Sequence, residues 1–257
     1  MPQLSKCHNA YTIIRHLEPV PVSNRKRFMN VSPETEMLMA KQAYEQVLQQ
    51  FRHRILPPNH PYSIFVRKVA RNLIKVSGLE DLKWEVHVVD DPQKNAFVLP
   101  GGKIFVFTGL LPIVEDEAGM AAVLGHEIAH QVARHSAEKL SYMTITTILQ
   151  LLLAALFDPN MVLTRIFVEF GINMPFSRKM ESEADYIGLR LMAQACYDPN
   201  AAVRMWQRMK EVVNHSEVMA YLGTHPSPGK RIENIKEWLP EAQLIRENSD
   251  CYQVTSS

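Results

Sequence analysis

The sequence predicts an α+β chain that is mainly α. Two observations carry this. Apolar residues recur at three- and four-residue intervals through most of the chain, and the period shortens to two only between about residues 84 and 108. A third sets the scale: 257 residues, 46% hydrophobic and 21% charged, supply a sizeable core and exclude a mainly disordered chain.

Residues 1–31 read as an extended basic arm. Pro19 and Pro21 oppose a helix, and Asn24-Arg25-Lys26-Arg27 is a basic cluster, read as solvated, with acidic lipid head groups as the alternative partner. Residues 32–257 then form the main domain. Ser32-Pro33 opens a helix as N-cap and first-turn proline, and Met37, Ala40, Tyr44, Val47 and Phe51 give it an apolar stripe. A second helix covers about 62–76, with Phe65, Val69 and Leu73 on one face. Trp84, Val86 and Val88 alternate with Glu85, His87 and Val89 as a strand. Residues 95–99 and 103–108 flank Pro100-Gly101-Gly102 as a hairpin. A long helix is expected over about 116–140. Residues 141–157 carry no charge, and 161–172 are apolar apart from Arg165 and Glu169, so 141–172 is an insert suited to a membrane or to a buried core. Helices near 178–195, 199–213 and 229–238 complete the chain.

A net charge of +1 gives no reason to expect nucleic acid as a partner. Three cysteines, none in a CxxC pair, exclude a disulfide framework and a cysteine-based zinc site. The amino terminus has no apolar run and no long Arg- and Ser-rich amphipathic stretch, so neither a secretory signal nor a mitochondrial presequence is read in it.

The chemistry concentrates at His126-Glu127-Ile128-Ala129-His130. Four residues span about one helical turn, so both imidazoles project from one face and can grip one metal ion. Glu127 falls beside the open coordination position, where it can take a proton from the attacking water. Ala121, Ala122, Val123, Leu124 and Gly125 mark the helix as buried, where two histidines and a glutamate are costly without a partner. A third histidine ten residues after the first is excluded, because position 136 is Ser136. The remaining solution is a carboxylate from a later helix. Glu181 and Asp185 are spaced i, i+4: Glu181 can bind the metal while Asp185 accepts a hydrogen bond from a ligating histidine. His135, on the far side of the expected long helix, reads as a surface residue, and Glu183, about 200° from Glu181, as a solvated charge.

HEIAH, followed by SRKMESEADYIGL and THPSPGKRI, resembles the zinc metallopeptidase family of the bacterial heat-shock protease HtpX and the CaaX prenyl endopeptidases. NAFVLPGGKIFVFTGL at 95–110 and RHLEPVPV at 15–22 bring it nearer to the mitochondrial inner-membrane branch, and the likeness runs from about residue 11 to 251. The resemblance implies a gluzincin-type fold with a small antiparallel sheet beside the HExxH helix. It implies one Zn2+ per chain on His126, His130 and Glu181, with Glu127 as general base. It sets His225 on the family's carboxy-terminal HP motif, near the metal; Pro226 and Pro228 stiffen that loop, which suits His225 to donating to an oxyanion, with a turn residue capping the last helix as the alternative. Asn95 and Phe97 fall where an extended substrate would add to a sheet edge; for Asn95 an ordinary turn residue is the alternative. A Cys196–Cys251 disulfide is implied as well, with two separate thiols as the alternative and Cys7 free in either case.

The implied function is an endopeptidase cutting membrane-associated proteins in mitochondrial inner-membrane quality control, facing the intermembrane space. Homo-oligomerisation is left open. The mitochondrial relatives carry a presequence and an anchor, and this chain is expected to start after them. A catalytically silent scaffold of the same fold is the competing reading, and it gives the intact Glu127 no task.

Overall fold

The computed structural model describes residues 16–157, 164, 165, 168–215 and 229–251. Two short strands, β1 (Leu17–Pro19) and β2 (Lys26–Phe28), pair antiparallel. Residues 1–15, with Cys7 and the start of the expected arm, lie outside the described part. The remainder of that segment is not a solvated arm. Arg27 is 4% exposed, and Arg25 is bonded to two buried carboxylates on later helices.

Helix α1 (Pro33–Phe51) begins as the sequence requires. The Ser32 hydroxyl accepts the Thr35 N–H at 3.2 Å, and Pro33 sits in the first turn. Helix α2 (Pro61–Ile74) buries Val66, Val69, Ala70 and Leu73. Strands β3 (Glu85–Val89), β4 (Ala96–Leu99) and β5 (Lys103–Phe107) form one sheet in the order β3-β5-β4. The expected hairpin is β4–β5, antiparallel, turned by Gly101 and Gly102 at φ +83° and +82°. Strand β3 joins the other side of β5 in parallel, so the sheet is mixed rather than wholly antiparallel.

Alternation sorts β5 onto two faces. Ile104 and Val106 join the main core with Val66, Leu73, Leu124 and Ile128. Phe105 and Phe107 enter a smaller core with Phe51 and Val89. The Phe97 side chain belongs to that second core and stacks on Phe105 with ring centroids 5.2 Å apart.

A 3-10 turn (Thr108–Leu110) and a short helix, α3 (Leu111–Val114), lead into α4 (Glu117–Val132). The Asp116 carboxylate caps α4 by accepting the Gly119 N–H at 2.7 Å. The single long helix expected over 116–140 is two. α4 stops at Val132, Arg134 takes a left-handed φ of 48°, and α5 (His135–Phe157) sets off afresh. The Ala133 carbonyl at the break accepts from the buried Arg27 guanidinium, and Arg134 Nε donates to Glu36 at 2.9 Å. A side chain distant in sequence, Arg27, thus satisfies a carbonyl that a continuing helix would have satisfied itself.

Most of the uncharged run belongs to α5 and faces outward, with Met143, Ile145, Ile148, Leu151, Leu152 and Leu156 exposed. A π-helical turn (Glu169–Asn173) leads into α6 (Met174–Gln194), followed by α7 (Asn200–His215) and α8 (Gly229–Glu247). Cys196, at the end of α6, is disulfide-bonded to Cys251, with Cα atoms 5.4 Å apart. By chain entropy, closing a loop of that length contributes about 4 kcal/mol.

The site is set by the packing of α4 against α6, the most extensive contact between described elements. The helices touch at Gly125 and Gly188. A Cβ on Gly188 would lie 2.7 Å from the His126 amide nitrogen, and one on Gly125 2.9 Å from the Gly188 carbonyl oxygen. Gly188→Ala must therefore push two buried backbones apart. The expected destabilisation is about 1–3 kcal/mol, as for other overpacked cores, read from urea unfolding. An unchanged midpoint would mean that the crossing is loose.

Candidate metal centre

His126 and His130 stand one turn apart on α4, and Glu181 and Asp185 one turn apart on α6. Where the helices cross, three donors converge. His126 Nε2 is 3.2 Å from His130 Nε2 and 3.3 Å from Glu181 Oε2, and His130 Nε2 is 3.5 Å from Glu181 Oε1. A tetrahedral ion with N and O bonds of about 2.0–2.1 Å spaces its ligands by about 3.3–3.4 Å, so these three fit the corners of such a site. Charge fits as well. Glu127, Glu181 and Asp185 are all buried on these two helices, with Arg231 2.7 Å from Asp185, so a divalent cation suits the site.

His126 Nδ1 lies 2.9 Å from Asp185 Oδ1, which turns Nε2 towards Glu181. Burial and the nearby Arg231 both disfavour a proton on His126, but Asp185 and Glu181 outweigh them, and the pKa is pushed up to about 9.

Arg231 was not assigned a role from the sequence, although it lies within the THPSPGKRI stretch. It is buried, its guanidinium carbon sits 3.5 Å from the Trp206 ring centroid, and its Nε donates to both Asp185 oxygens at 2.8 and 2.7 Å. The available signal was the surplus of buried acids on two facing helices, which calls for a cation.

Glu127 follows His126 on α4 and is 4% exposed. Asn95, just before β4, is buried, and its Oδ1 has no partner among the described residues. Strand β4 is a sheet edge, with Ala96 and Val98 turned to the main core. Phe97 faces the other way, against the smaller core. His225 lies outside the described residues.

Two expectations fail. His135 is 3% exposed and Glu183 8% exposed, and they bond to each other at 3.0 Å. The break at Arg134 rotates His135 inward, and Arg25 makes a buried Glu183 tenable. Burial alone would raise the Glu183 pKa; His135, Arg25 and Ser23 together bring it down to about 2. His135, Glu138 and Glu183 also bring ligand atoms within 4.8 Å of one another. There the cation is the Arg25 guanidinium, 2.6 Å from each carboxylate.

Two histidines one turn apart, a carboxylate from a crossing helix and an adjacent glutamate define a metallopeptidase. The chain belongs to Peptidase family M48, whose model matches residues 65–239. Over 93% of its length it is 54% identical to the mitochondrial metalloendopeptidase OMA1 of Schizosaccharomyces pombe, covering 72% of that protein. It is 42% identical to the protein of that name in Saccharomyces cerevisiae, over 92% of this chain and 73% of the other. The human metalloendopeptidase OMA1, mitochondrial, is 36% identical over 92% of this chain and 48% of its own length.

Glu181→Gln exchanges an anionic donor for a neutral amide and is expected to weaken metal binding severely. Asp185→Asn keeps all three donors and should weaken it less, by about 10- to 100-fold. Chelator competition ranks the two, and a Glu181→Gln chain with undiminished affinity would remove Glu181 from the donor set.

Proposed function

We propose that the chain is a zinc endopeptidase of the mitochondrial inner membrane that cuts membrane-associated proteins in quality control. The observation that carries the reading is the tetrahedral spacing of His126, His130 and Glu181, with Glu127 buried next to His126 in the helix. The donor set, two imidazoles and one carboxylate with one position open, is that of a catalytic zinc site. When bound, zinc supplies the Lewis acidity that makes water nucleophilic near neutral pH.

The protein's own residues do the rest. Glu127 takes the proton of the attacking water and returns it to the leaving amine. Asp185, held by Arg231, keeps the His126 ring in place. A substrate strand pairs with the outer edge of β4, presenting its backbone across the end of α4, and the unpartnered Asn95 amide oxygen accepts from it. His225 donates to the developing oxyanion.

Three features support the location. The relatives are named as mitochondrial. Within α5, His135–Leu156 is long and apolar enough, by length and composition, to cross a membrane, with only 17% of its most apolar window buried. The Cys196–Cys251 bond suits an oxidising compartment such as the intermembrane space.

Glu127→Gln is expected to retain zinc and lose about 10²- to 10⁴-fold in hydrolysis of an unfolded protein. Near-full, chelator-sensitive activity would refute the role given to Glu127. Purified chain is also expected to float with liposomes. Replacing Ile148, Leu151 and Leu152 by Asn should leave it at the bottom of the gradient; flotation that persists would place the contact elsewhere.

A further inference from the structure

The two histidines of the centre are anchored by different means. His126 is held through Nδ1 by a carboxylate, Asp185. The Nδ1 of His130 instead lies 2.8 Å from the Nδ1 of His135. Two ring nitrogens that meet must divide their roles, one carrying the proton and the other offering its lone pair.

The next contact decides which. His135 Nε2 is 3.0 Å from Glu183 Oε2. An ionised carboxylate only accepts, so the proton of a neutral His135 sits on Nε2. Its Nδ1 is then an acceptor, and the proton between the rings belongs to His130 Nδ1. What His130 keeps is the Nε2 lone pair, on the nitrogen that faces His126 Nε2 at 3.2 Å. Had the chain of bonds run the other way, His130 would present N–H to the metal position and could not ligate.

Glu183 is itself fixed from outside the catalytic helices. Arg25 Nε donates to its two oxygens at 3.1 and 3.0 Å, Arg25 Nη2 donates to Oε2 at 2.6 Å, and the Ser23 hydroxyl donates to Oε1. The same guanidinium grips Glu138, at 2.6 and 2.7 Å. The turn between β1 and β2 thus straps α5 to α6.

We propose that His135 and Glu183 are positioning residues for the metal, acting as a relay that sets the tautomer of His130. The amino-terminal hairpin locks the relay through Arg25. His130 thereby receives, through an intervening imidazole, what His126 receives directly from Asp185. The inference rests on the metal centre proposed above.

The test uses the whole chain and zinc alone. In the ¹⁵N-histidine spectrum of metal-free protein, His130 is expected to be protonated on Nδ1 and His135 on Nε2. His135→Ala should lower zinc affinity about 10- to 100-fold by chelator competition. His135→Gln, whose amide oxygen can accept from His130, should recover part of that loss. A His130 protonated on Nε2, or a His135→Ala chain within twofold of the parent, would overturn the relay. Equal losses in the Ala and Gln variants would do so too. A misfolded Ala variant leaves the decision to the tautomer of the parent. A parent that binds no zinc, or one whose Glu181→Gln variant binds as well, would overturn the metal centre instead, so the two failures are told apart.

Discussion

The contact between Gly125 and Gly188 is the constraint on which the rest depends. Helices that meet through side chains pack about 8–10 Å apart. Here two residues without Cβ let the backbones of α4 and α6 touch. Next to that contact lies the donor His126, with His130 little more than one turn along α4 and Glu181 about two turns along α6. Donor spacings near 3.3 Å are reached only because the helices can come this close. The sheet, α2 and α7 pack round α4 and bury most of it.

A dry site this acidic must be balanced. Isolated buried carboxylates would be protonated or would unfold the protein. Two guanidiniums meet the demand from opposite ends of the chain. Arg231 on α8 sits between Trp206 and Asp185. Arg25, in the amino-terminal hairpin, bridges Glu138 and Glu183. Glu181 stands beside His126 and His130, the place where a divalent cation is useful. The carboxylates of Asp185 and Glu181 favour a proton on His126 against burial and Arg231.

The helices and strands were legible because hydrophobic period and cap chemistry are local. Ser32-Pro33, Gly101-Gly102 and the alternation through residues 84–89 and 103–108 each carry their own signal. His126, His130, Glu181 and Asp185 were legible because spacing on a helix converts directly into direction. The break at Arg134 was not, since neither glycine nor proline marks it and the side chain that satisfies the freed Ala133 carbonyl, Arg27, is about a hundred residues away. This error misplaced one side chain and the reading of the amino-terminal segment another. With α4 taken as continuous, His135 pointed to solvent, and with the hairpin taken as a solvated arm, Glu183 had no cation to meet. The parallel pairing of β3 with β5 was hidden for the same reason, because register between strands separated by a hairpin is a tertiary property.

The central claim is that α4 and α6 together build a three-donor zinc site of nitrogen and oxygen. X-ray absorption at the zinc edge of the loaded chain tests it directly. The account requires a first shell of light atoms at about 2.0–2.1 Å with the multiple scattering of two imidazoles, reduced to a weaker or altered shell in the Glu181→Gln chain. A sulfur scatterer near about 2.3 Å, or a spectrum with no imidazole contribution, would contradict it.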